Sequence, residues 1–227
     1  KIAEEIEKEK LIVQSVEIKK EKKNPPPPFI TSTLQQTAGQ RLGFSAKQTM
    51  MFAQRLYEEG LITYMRTDSL NLSDDSLAQA QNFILENFGE KYASSSTRKF
   101  KTKSKGAQEA HEAIRPTDAN LVPESLKNKL GEKEWKLYNL IWRRFLASQF
   151  PEAEIEATKA DIASGEYLLR SNGARLAFDG FLKVYPMQFS ENILPELKES
   201  QELKIQKVLP EQHFTEPSPR YSEPALI

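Results

Sequence analysis

Residues 60–69 read Gly60-Leu61-Ile62-Thr63-Tyr64-Met65-Arg66-Thr67-Asp68-Ser69. The glycine can take the left-handed conformation that ends a helix, and the β-branched and apolar residues after it favour a short strand. Because side chains alternate faces along a strand, Ile62, Tyr64 and Arg66 are predicted to share one side. The stretch therefore predicts a helix end followed by a strand that presents a phenol beside a guanidinium.

A tyrosine hydroxyl beside an arginine can attack a phosphate. A free tyrosine has a pKa near 10, so only on the order of 0.1% of it is phenolate at neutral pH. A fixed cation lowers the cost of ionisation and can also bind the attacked phosphate. The same spacing fits a half-buried tyrosine covered by the arginine stem. The spacing alone leaves both interpretations open.

Composition sets broad limits on the class of protein. The chain has 227 residues, 38% hydrophobic and 28% charged, with zero net charge and no cysteine. Disulfides and thiolate zinc sites are thereby excluded within it. No apolar run approaches the ~20 residues that cross a bilayer, and no leader peptide is recognisable, so we expect a cytoplasmic protein without a membrane partner.

Positive charge is concentrated in one stretch, residues 91–105, which contains no acid. Its basic residues are Lys91, Arg98, Lys99, Lys101, Lys103 and Lys105. A solvated loop rich in Ser and Thr and a track for nucleic-acid phosphates are both compatible with this pattern.

Element signals divide the chain into a helical part and a β-rich part. Residues 11–18 read as a strand, and residues 25–28 form a polyproline spacer. Capping boxes at Ser32 and Ser45 open two helices, the second ending at Gly60 and followed by the predicted strand. Helix, turn, helix and strand is the order of a winged helix-turn-helix.

Further helices are predicted after this unit. Ser73 caps one that ends at Gly89, residues 107–114 form a short one, and residues 123–150 are helical with a break at Gly131. In the short helix, His111 and Arg115 would lie four residues apart on one side.

Residues 151–217 show the period-two pattern of strands. Turn signals lie at Ser164-Gly165 and Asn172-Gly173. Strands are predicted at residues 167–170, 175–178, 181–185 and 203–208, and the strand before the prolines is expected to join this sheet. The predicted class is therefore α+β, with a mainly helical, winged-helix-like domain inserted into a β-rich domain.

Three blocks of the sequence resemble the type IA DNA topoisomerases, in the same order. They are residues 28–36, PFITSTLQQ; residues 61–69, LITYMRTDS; and residues 108–117, QEAHEAIRPT. The resemblance extends over the whole chain. It implies that residues 1–28, including an N-terminal helix end, and 151–217 are two segments of the β-rich arch domain of that family. Residues 29–150 would be the helical tyrosine-bearing domain, and residues 218–227 the start of a further DNA-binding domain.

The resemblance also implies a chemistry. Tyr64 matches the family's catalytic tyrosine, which becomes linked to a 5′ phosphate of single-stranded DNA and relaxes negative supercoils without ATP. Arg66 would stabilise charge on the phosphoryl oxygens. His111 matches the family histidine and would contact DNA. Asp68 and Arg115 are weaker DNA-binding candidates: Asp68 could orient Arg66, and Arg115 could instead pair with Glu109 or Glu112.

One departure from the family pattern concerns the metal. The family needs Mg²⁺ held by the carboxylates of a Toprim domain, and this chain has no Asp-x-Asp pair. No metal ligand is predicted here. Because the chain also opens on Lys1 and closes on a helix first turn at residues 222–227, we expect a piece of a longer protein. That piece should neither cleave nor relax DNA without the Toprim and DNA-binding domains of the same chain.

Two other functions fit parts of the pattern. A topoisomerase III-like decatenase has the same chemistry, and a non-catalytic winged-helix module would bind DNA without forming an adduct. Whether the enzyme relaxes or decatenates DNA, we expect it to act on the nucleoid.

Overall fold

The computed structural model describes residues 2–94, 96–100 and 111–227 of the chain. These residues cluster into two compact units. One comprises residues 1–23, 153–179 and 187–218, and the other residues 24–152, 180–186 and 219–227. The mixture of sheet and helix confirms the α+β class. The winged-helix and arch assignments are not confirmed, and the division into four segments stays a prediction.

The first unit is built on an antiparallel sheet. After helix α1 (Ile2–Ile6), strand β1 (Leu11–Lys23) pairs with β2 (Ala153–Ser164), which pairs with β3 (Tyr167–Phe178). The short β4 (Glu202–Leu203) adds to the other edge of β1, so the sheet order is β3-β2-β1-β4. The expectation that the strand before the prolines joins this sheet is confirmed.

The hairpin signals in this unit had different outcomes. Gly165 sits in the turn between β2 and β3 with φ +55°, which confirms the turn at Ser164-Gly165. The predicted turn at Asn172-Gly173 is wrong, because β3 continues through these two residues and both pair with β2. The predicted strand at residues 203–208 is limited to Glu202–Leu203, since pairing with β1 covers only those two residues.

The second unit is a helical cluster. It contains α2 (Thr31–Leu42), α3 (Ala46–Glu58), α4 (Asp74–Phe88), α5 (Pro123–Leu126) and α6 (Glu132–Gln149). Its core is apolar and includes side chains with almost no exposed area: Phe29, Leu34, Leu56, Ile62, Met65, Leu77, Ile84, Tyr138, Ile141, Phe145 and Phe150. The aromatic side chains Tyr138, Trp142 and Phe145 of α6 are therefore part of the core.

Several helix ends follow their sequence signals. Ser45 accepts the backbone N–H of Gln48, whose side chain accepts the N–H of Ser45, so the second capping box is confirmed. Ser73 caps α4, and Gly60 and Gly89 lie at positive φ just beyond α3 and α4. The predicted capping box at Ser32 is wrong, because the N-cap of α2 lies two residues earlier, at Ile30.

Three predicted elements of this unit do not form. Residues 61–67 are not a strand, since only Ile62 makes an isolated bridge, to Pro116. Residues 107–110 lie outside the described residues, and residues 111–114 are extended, so no helix places His111 and Arg115 on one side. The strand at residues 181–185 is replaced by a 3-10 turn (Gly180–Lys183), which packs in this helical unit.

The segment that closes the sequence also belongs to the helical unit. The short α7 (Glu223–Leu226) packs on α2, where Pro224 occupies the space that a side chain at Gly39 would need. Glu223 accepts the N–H of Ala46 at 3.1 Å. Its assignment to a following domain stays a prediction. None of the described helices is long and apolar enough to span a bilayer.

Candidate active site

Hydrogen bonds bring three separate segments together in the helical unit. The N–H of Thr31 donates to the carbonyl of Thr67 at 2.9 Å, and that of Ile114 donates to Phe29 at 2.8 Å. The N–H of Thr63 donates to Arg115 at 2.9 Å. These segments are parts of the three sequence blocks, so the blocks meet at one place in the fold.

Burial alternates along the middle segment, hereafter the tyrosine loop (residues 61–69). Met65, Thr67 and Ser69 are buried, whereas Tyr64, Arg66 and Asp68 are exposed. The prediction that Ile62 shares a side with Tyr64 is wrong, because Ile62 is 1% exposed and Tyr64 is 44% exposed. The loop thus uses alternate residues as anchors and presents the phenol and the guanidinium outward.

Two threonine hydroxyls fix the loop at either side of Tyr64. Thr63 Oγ1 donates to the carbonyl of Ala113 at 2.7 Å and accepts the N–H of Arg115 at 3.0 Å. Thr31 Oγ1 lies 2.8 Å from the carbonyl of Met65 and 3.0 Å from that of Thr67. The backbone of an irregular segment is thereby satisfied by side chains instead of by a sheet.

Two adjoining cavities open at the loop. One, of about 550 Å³, is lined by Ile30, Thr31, Ser32, Gln35, Arg66, Thr67, Asp68 and His111. The other, of about 480 Å³, is lined by Tyr57, Thr63, Tyr64, Thr67, His111 and Glu112. Thr67 and His111 belong to both linings. The structure therefore places Arg66, Asp68 and His111 at one cavity and Tyr64 and His111 at the adjoining one.

The Tyr64 ring has an aromatic neighbour. The ring of Tyr57, on α3, meets it edge-to-face, with centroids 5.3 Å apart and an interplanar angle of 64°. Such pairs are favourable by about 0.5–1.5 kcal/mol, so this contact restricts where the phenol can point.

Arg66 and Asp68 keep their charged groups available. Neither side chain forms a hydrogen bond or ion pair with another residue in the part of the chain that the structure describes. The interpretation that Asp68 orients Arg66 stays a prediction. An exposed guanidinium at a cavity wall is suited to a bidentate contact with a phosphate.

Arg115 is engaged with its own loop. Its Nη2 donates to Glu112 at 2.7 Å and its Nη1 to the carbonyl of Pro116 at 2.9 Å, and its side chain is 12% exposed. Of the two roles left open by the sequence, the ion pair with Glu112 is therefore present. A contact between Arg115 and DNA stays a prediction.

Glu112 joins this loop to the start of α4. Burial by itself would raise the pKa of Glu112, but hydrogen bonds from Ser73 and the charge of Arg115 outweigh burial and hold the pKa below its ordinary value. The backbone N–H of Ser73 donates to Glu112 at 2.8 Å. An ionised Glu112 thus fixes the segment that carries His111.

The described residues show no metal-binding group. Within residues 2–94, 96–100 and 111–227, no three His, Cys, Asp or Glu side chains lie close enough to hold an ion. Among these described residues none forms a site for a resident Mg²⁺, and the assignment of that metal to a Toprim domain stays a prediction.

The basic stretch is described only in part. Lys101, Lys103 and Lys105 lie outside the described residues. Arg98 pairs loosely with Glu152 at 3.9 Å, and Lys99 pairs with Asp74 at 3.2 Å. A phosphate track along residues 91–105 stays a prediction.

Comparison with known proteins identifies the family. A family model described as DNA topoisomerase matches residues 1–227. The chain belongs to the bacterial DNA topoisomerase I family. Its resemblance to type IA topoisomerases, carried by the three blocks, is confirmed.

Individual bacterial topoisomerases show how far the similarity extends. DNA topoisomerase 1 of Rickettsia bellii is 47% identical over the whole chain, which covers 30% of that protein. The Pseudomonas aeruginosa protein of the same name is 50% identical over 89% of the chain and 24% of its own length. The crystal structure of full-length topoisomerase I from Thermotoga maritima superposes with a TM-score of 0.75 and 38% identity, covering 88% of this chain and 33% of that one. The chain thus spans about 30% of the length of the first of these topoisomerases.

Some residues of this candidate site were not found from the sequence. Thr31 and Thr63 act through hydroxyls that reach residues 34 to 52 positions away, which no local pattern reveals. Both lie inside the blocks that carry the family resemblance, and that membership is the only signal that could have singled them out. Tyr57 likewise joins the site through a tertiary contact, its ring packing on that of Tyr64.

Proposed function

We propose that this chain is the tyrosine-bearing part of a type IA DNA topoisomerase and that Tyr64 is its nucleophile. The observation that carries the proposal is that the three blocks meet at one cavity and that Tyr64 is exposed in the wall of the adjoining cavity. DNA is the proposed substrate, and the cytoplasmic nucleoid is the expected place of action.

The proposed step is a transesterification on single-stranded DNA. The Tyr64 oxygen bonds to phosphorus, the bond from phosphorus to the 3′ oxygen breaks, the phenol gives up its proton and the leaving 3′ oxygen takes up one. The product holds the 5′ phosphate on tyrosine and a free 3′ hydroxyl. Because the phosphotyrosine ester keeps the bond energy and phenolate leaves readily, the 3′ hydroxyl can reverse the step without ATP. Passage of a strand before reversal relaxes negative supercoils.

The surrounding residues have separate proposed roles. Arg66 stabilises the charge that builds on the phosphoryl oxygens, and its removal is expected to lower the cleavage rate by about a hundredfold or more. His111, between the two cavities, contacts a DNA phosphate. Asp68, which lines one of these cavities, and Arg115, which follows the His111 segment, contribute to DNA binding. As the family resemblance implies, the Mg²⁺ of the reaction is assigned to the Toprim domain of the full-length enzyme.

The test uses a full-length enzyme carrying this sequence, Mg²⁺ and a single-stranded oligonucleotide labelled at its 3′ end. Denatured products are separated on a gel. We expect label to stay with the protein, to vanish in Tyr64→Phe, and to persist in Tyr57→Phe, which removes the hydroxyl of the neighbouring phenol and keeps the ring contact.

Other outcomes point elsewhere. Trapping of 5′-labelled DNA alone would contradict the proposed polarity. A DNA complex without any adduct, unchanged by Tyr64→Phe, would favour the winged-helix binding module. Decatenation stronger than relaxation would favour a topoisomerase III-like enzyme. The 227-residue chain alone is expected to form no adduct in the same assay.

A further inference from the structure

Thr31, at the first position of α2, has a hydroxyl that both donates to and accepts from the backbone of the tyrosine loop. Its Oγ1 donates toward the carbonyls of Met65 at 2.8 Å and Thr67 at 3.0 Å, and it accepts the N–H of Thr67 at 2.9 Å. The backbone N–H of Thr31 also donates to the Thr67 carbonyl. Thr31 thus forms hydrogen bonds with the backbone on both sides of Arg66.

The anchored residues are buried, and the residue between them is not. Met65 is 1% exposed and Thr67 is 8% exposed, while Arg66 reaches the cavity that Thr31 also lines. A hydroxyl has one proton and two lone pairs, and here the proton and one lone pair serve the loop backbone. Because the carbonyls of Met65 and Thr67 both bond to Thr31 Oγ1, the backbone on either side of Arg66 is fixed, and with it the direction of the Arg66 side chain.

We propose that Thr31 is a positioning residue of the cleavage reaction and acts by fixing Arg66 against the attacked phosphate. The proposal rests on the function proposed above. It separates Thr31 from its neighbour Thr33, whose hydroxyl serves the helix end: Thr33 Oγ1 accepts the N–H of Ile30 at 3.0 Å. The two threonines lie on one helix turn and differ in what their hydroxyls hold.

The test measures single-turnover adduct formation by the full-length enzyme at saturating oligonucleotide, together with oligonucleotide affinity. Thr31→Val is expected to slow adduct formation about tenfold or more, because a small misplacement of a catalytic group is costly, while affinity changes less than about threefold. Thr31→Ser, which keeps the hydroxyl, is expected to stay within about threefold of the original rate. Thr33→Val is the matched control and should lower the melting temperature without slowing the reaction.

A double-substitution cycle asks whether Thr31 acts through Arg66. In an Arg66→Ala background, Thr31→Val should have little further effect on the rate, because the group that it positions is gone. An equal fold-change in both backgrounds, or an unchanged rate in Thr31→Val, overturns the proposal. Should Thr31→Val not fold, Thr31→Ala, which leaves space for a bridging water, is measured with the same expected direction and the same overturning results.

Failure of this proposal and failure of the proposed function look different. An adduct that persists in Tyr64→Phe overturns the function and the role of Thr31 with it. An adduct that is lost in Tyr64→Phe but forms at full rate in Thr31→Val overturns only the role of Thr31.

Discussion

The tyrosine loop and helix α6 lie in the same unit and are held in opposite ways. In α6 the backbone bonds to itself, and buried side chains such as Leu137, Ile141 and Phe145 attach the helix to the core. In the tyrosine loop the backbone has no regular partner, and Thr31 and Thr63 satisfy it from other segments. A helix can be stabilised along its whole length, whereas the loop depends on a few directional bonds. We therefore expect substitutions in α6 to lower stability more than rate, and substitutions in the loop to lower both.

The largest expected loss of stability is in α6. Phe145→Ala removes a side chain that is 1% exposed. Because the surrounding core relaxes only partly into the cavity left behind, the free energy of unfolding should fall by about 3–5 kcal/mol. Denaturant unfolding followed by tryptophan fluorescence measures it, because Trp135 and Trp142 both lie in α6. Phe214→Ala, at a site 80% exposed, is the control and should change stability by less than about 0.5 kcal/mol. Similar losses in both would contradict the role given to α6.

Met65→Ala tests the buried anchor of the loop. Its side chain is 1% exposed, so we expect a loss of about 2–5 kcal/mol in the free energy of unfolding. Adduct formation by the full-length enzyme should also slow at temperatures where the variant stays folded, unlike in Phe145→Ala. Met51→Ala, at an α3 site 44% exposed, is the matched control. A Met65→Ala enzyme that loses stability and keeps its full rate would contradict the expectation that substitutions in the tyrosine loop, unlike those in α6, slow the reaction.

Glu112→Gln tests the charged support of the His111 segment. Loss of charge at this partly exposed carboxylate should cost about 1–2 kcal/mol near pH 7, after allowance for solvent screening. Because the folded-state pKa is held below the ordinary value, the stabilisation is present above about pH 4.3 and is lost as the pH falls through the folded-state pKa. The difference in stability between the original chain and Glu112→Gln should therefore shrink at acid pH.

The matched control for this pH dependence is Glu86→Gln, at an exposed site on α4. It should leave stability within about 0.5 kcal/mol of the original at neutral pH. A stability difference for Glu112→Gln that stays constant from pH 7 to acid would mean that the ion pair with Arg115 does not stabilise the segment.

The smallest effect concerns helix capping. Ser45→Ala removes the side chain that accepts the Gln48 N–H and should cost about 1 kcal/mol. Ser32→Ala should cost less than about 0.5 kcal/mol, because Ser32 lies inside α2 and Ile30 occupies the N-cap position. Chemical denaturation of the two variants compares them directly. Equal losses of stability in the two variants would support the capping box that the sequence predicted at Ser32.

Local signals in the sequence predicted the structure correctly where backbone N–H and C=O groups find hydrogen-bond partners within a few residues. The caps at Ser45 and Ser73, the helix ends at Gly60 and Gly89 and the break at Gly131 depend on neighbours within a few residues. Tyr64 and Arg66 were singled out by the same stretch together with the family resemblance.

Predictions failed where distant partners decide the conformation. The tyrosine loop contains β-branched residues but bonds to Thr31 and to residues 113–115 instead of to a neighbouring strand. At Asn172-Gly173, pairing with β2 overrides the turn signal. Gly173 is needed there for another reason, since a side chain would lie 2.7 Å from Leu194 and 2.9 Å from the carbonyl of Asn192.

The most direct test of the central claim locates the covalent bond itself. The adduct of the full-length enzyme with single-stranded DNA is digested with nuclease and trypsin, and the peptide of residues 56–66 is sequenced by tandem mass spectrometry. This peptide holds both Tyr57 and Tyr64, whose rings are in contact, so fragmentation must separate them. We predict a nucleotide phosphate on Tyr64 and none on Tyr57. A phosphate on Tyr57, or an unmodified peptide from a sample that contains adduct, would contradict the account.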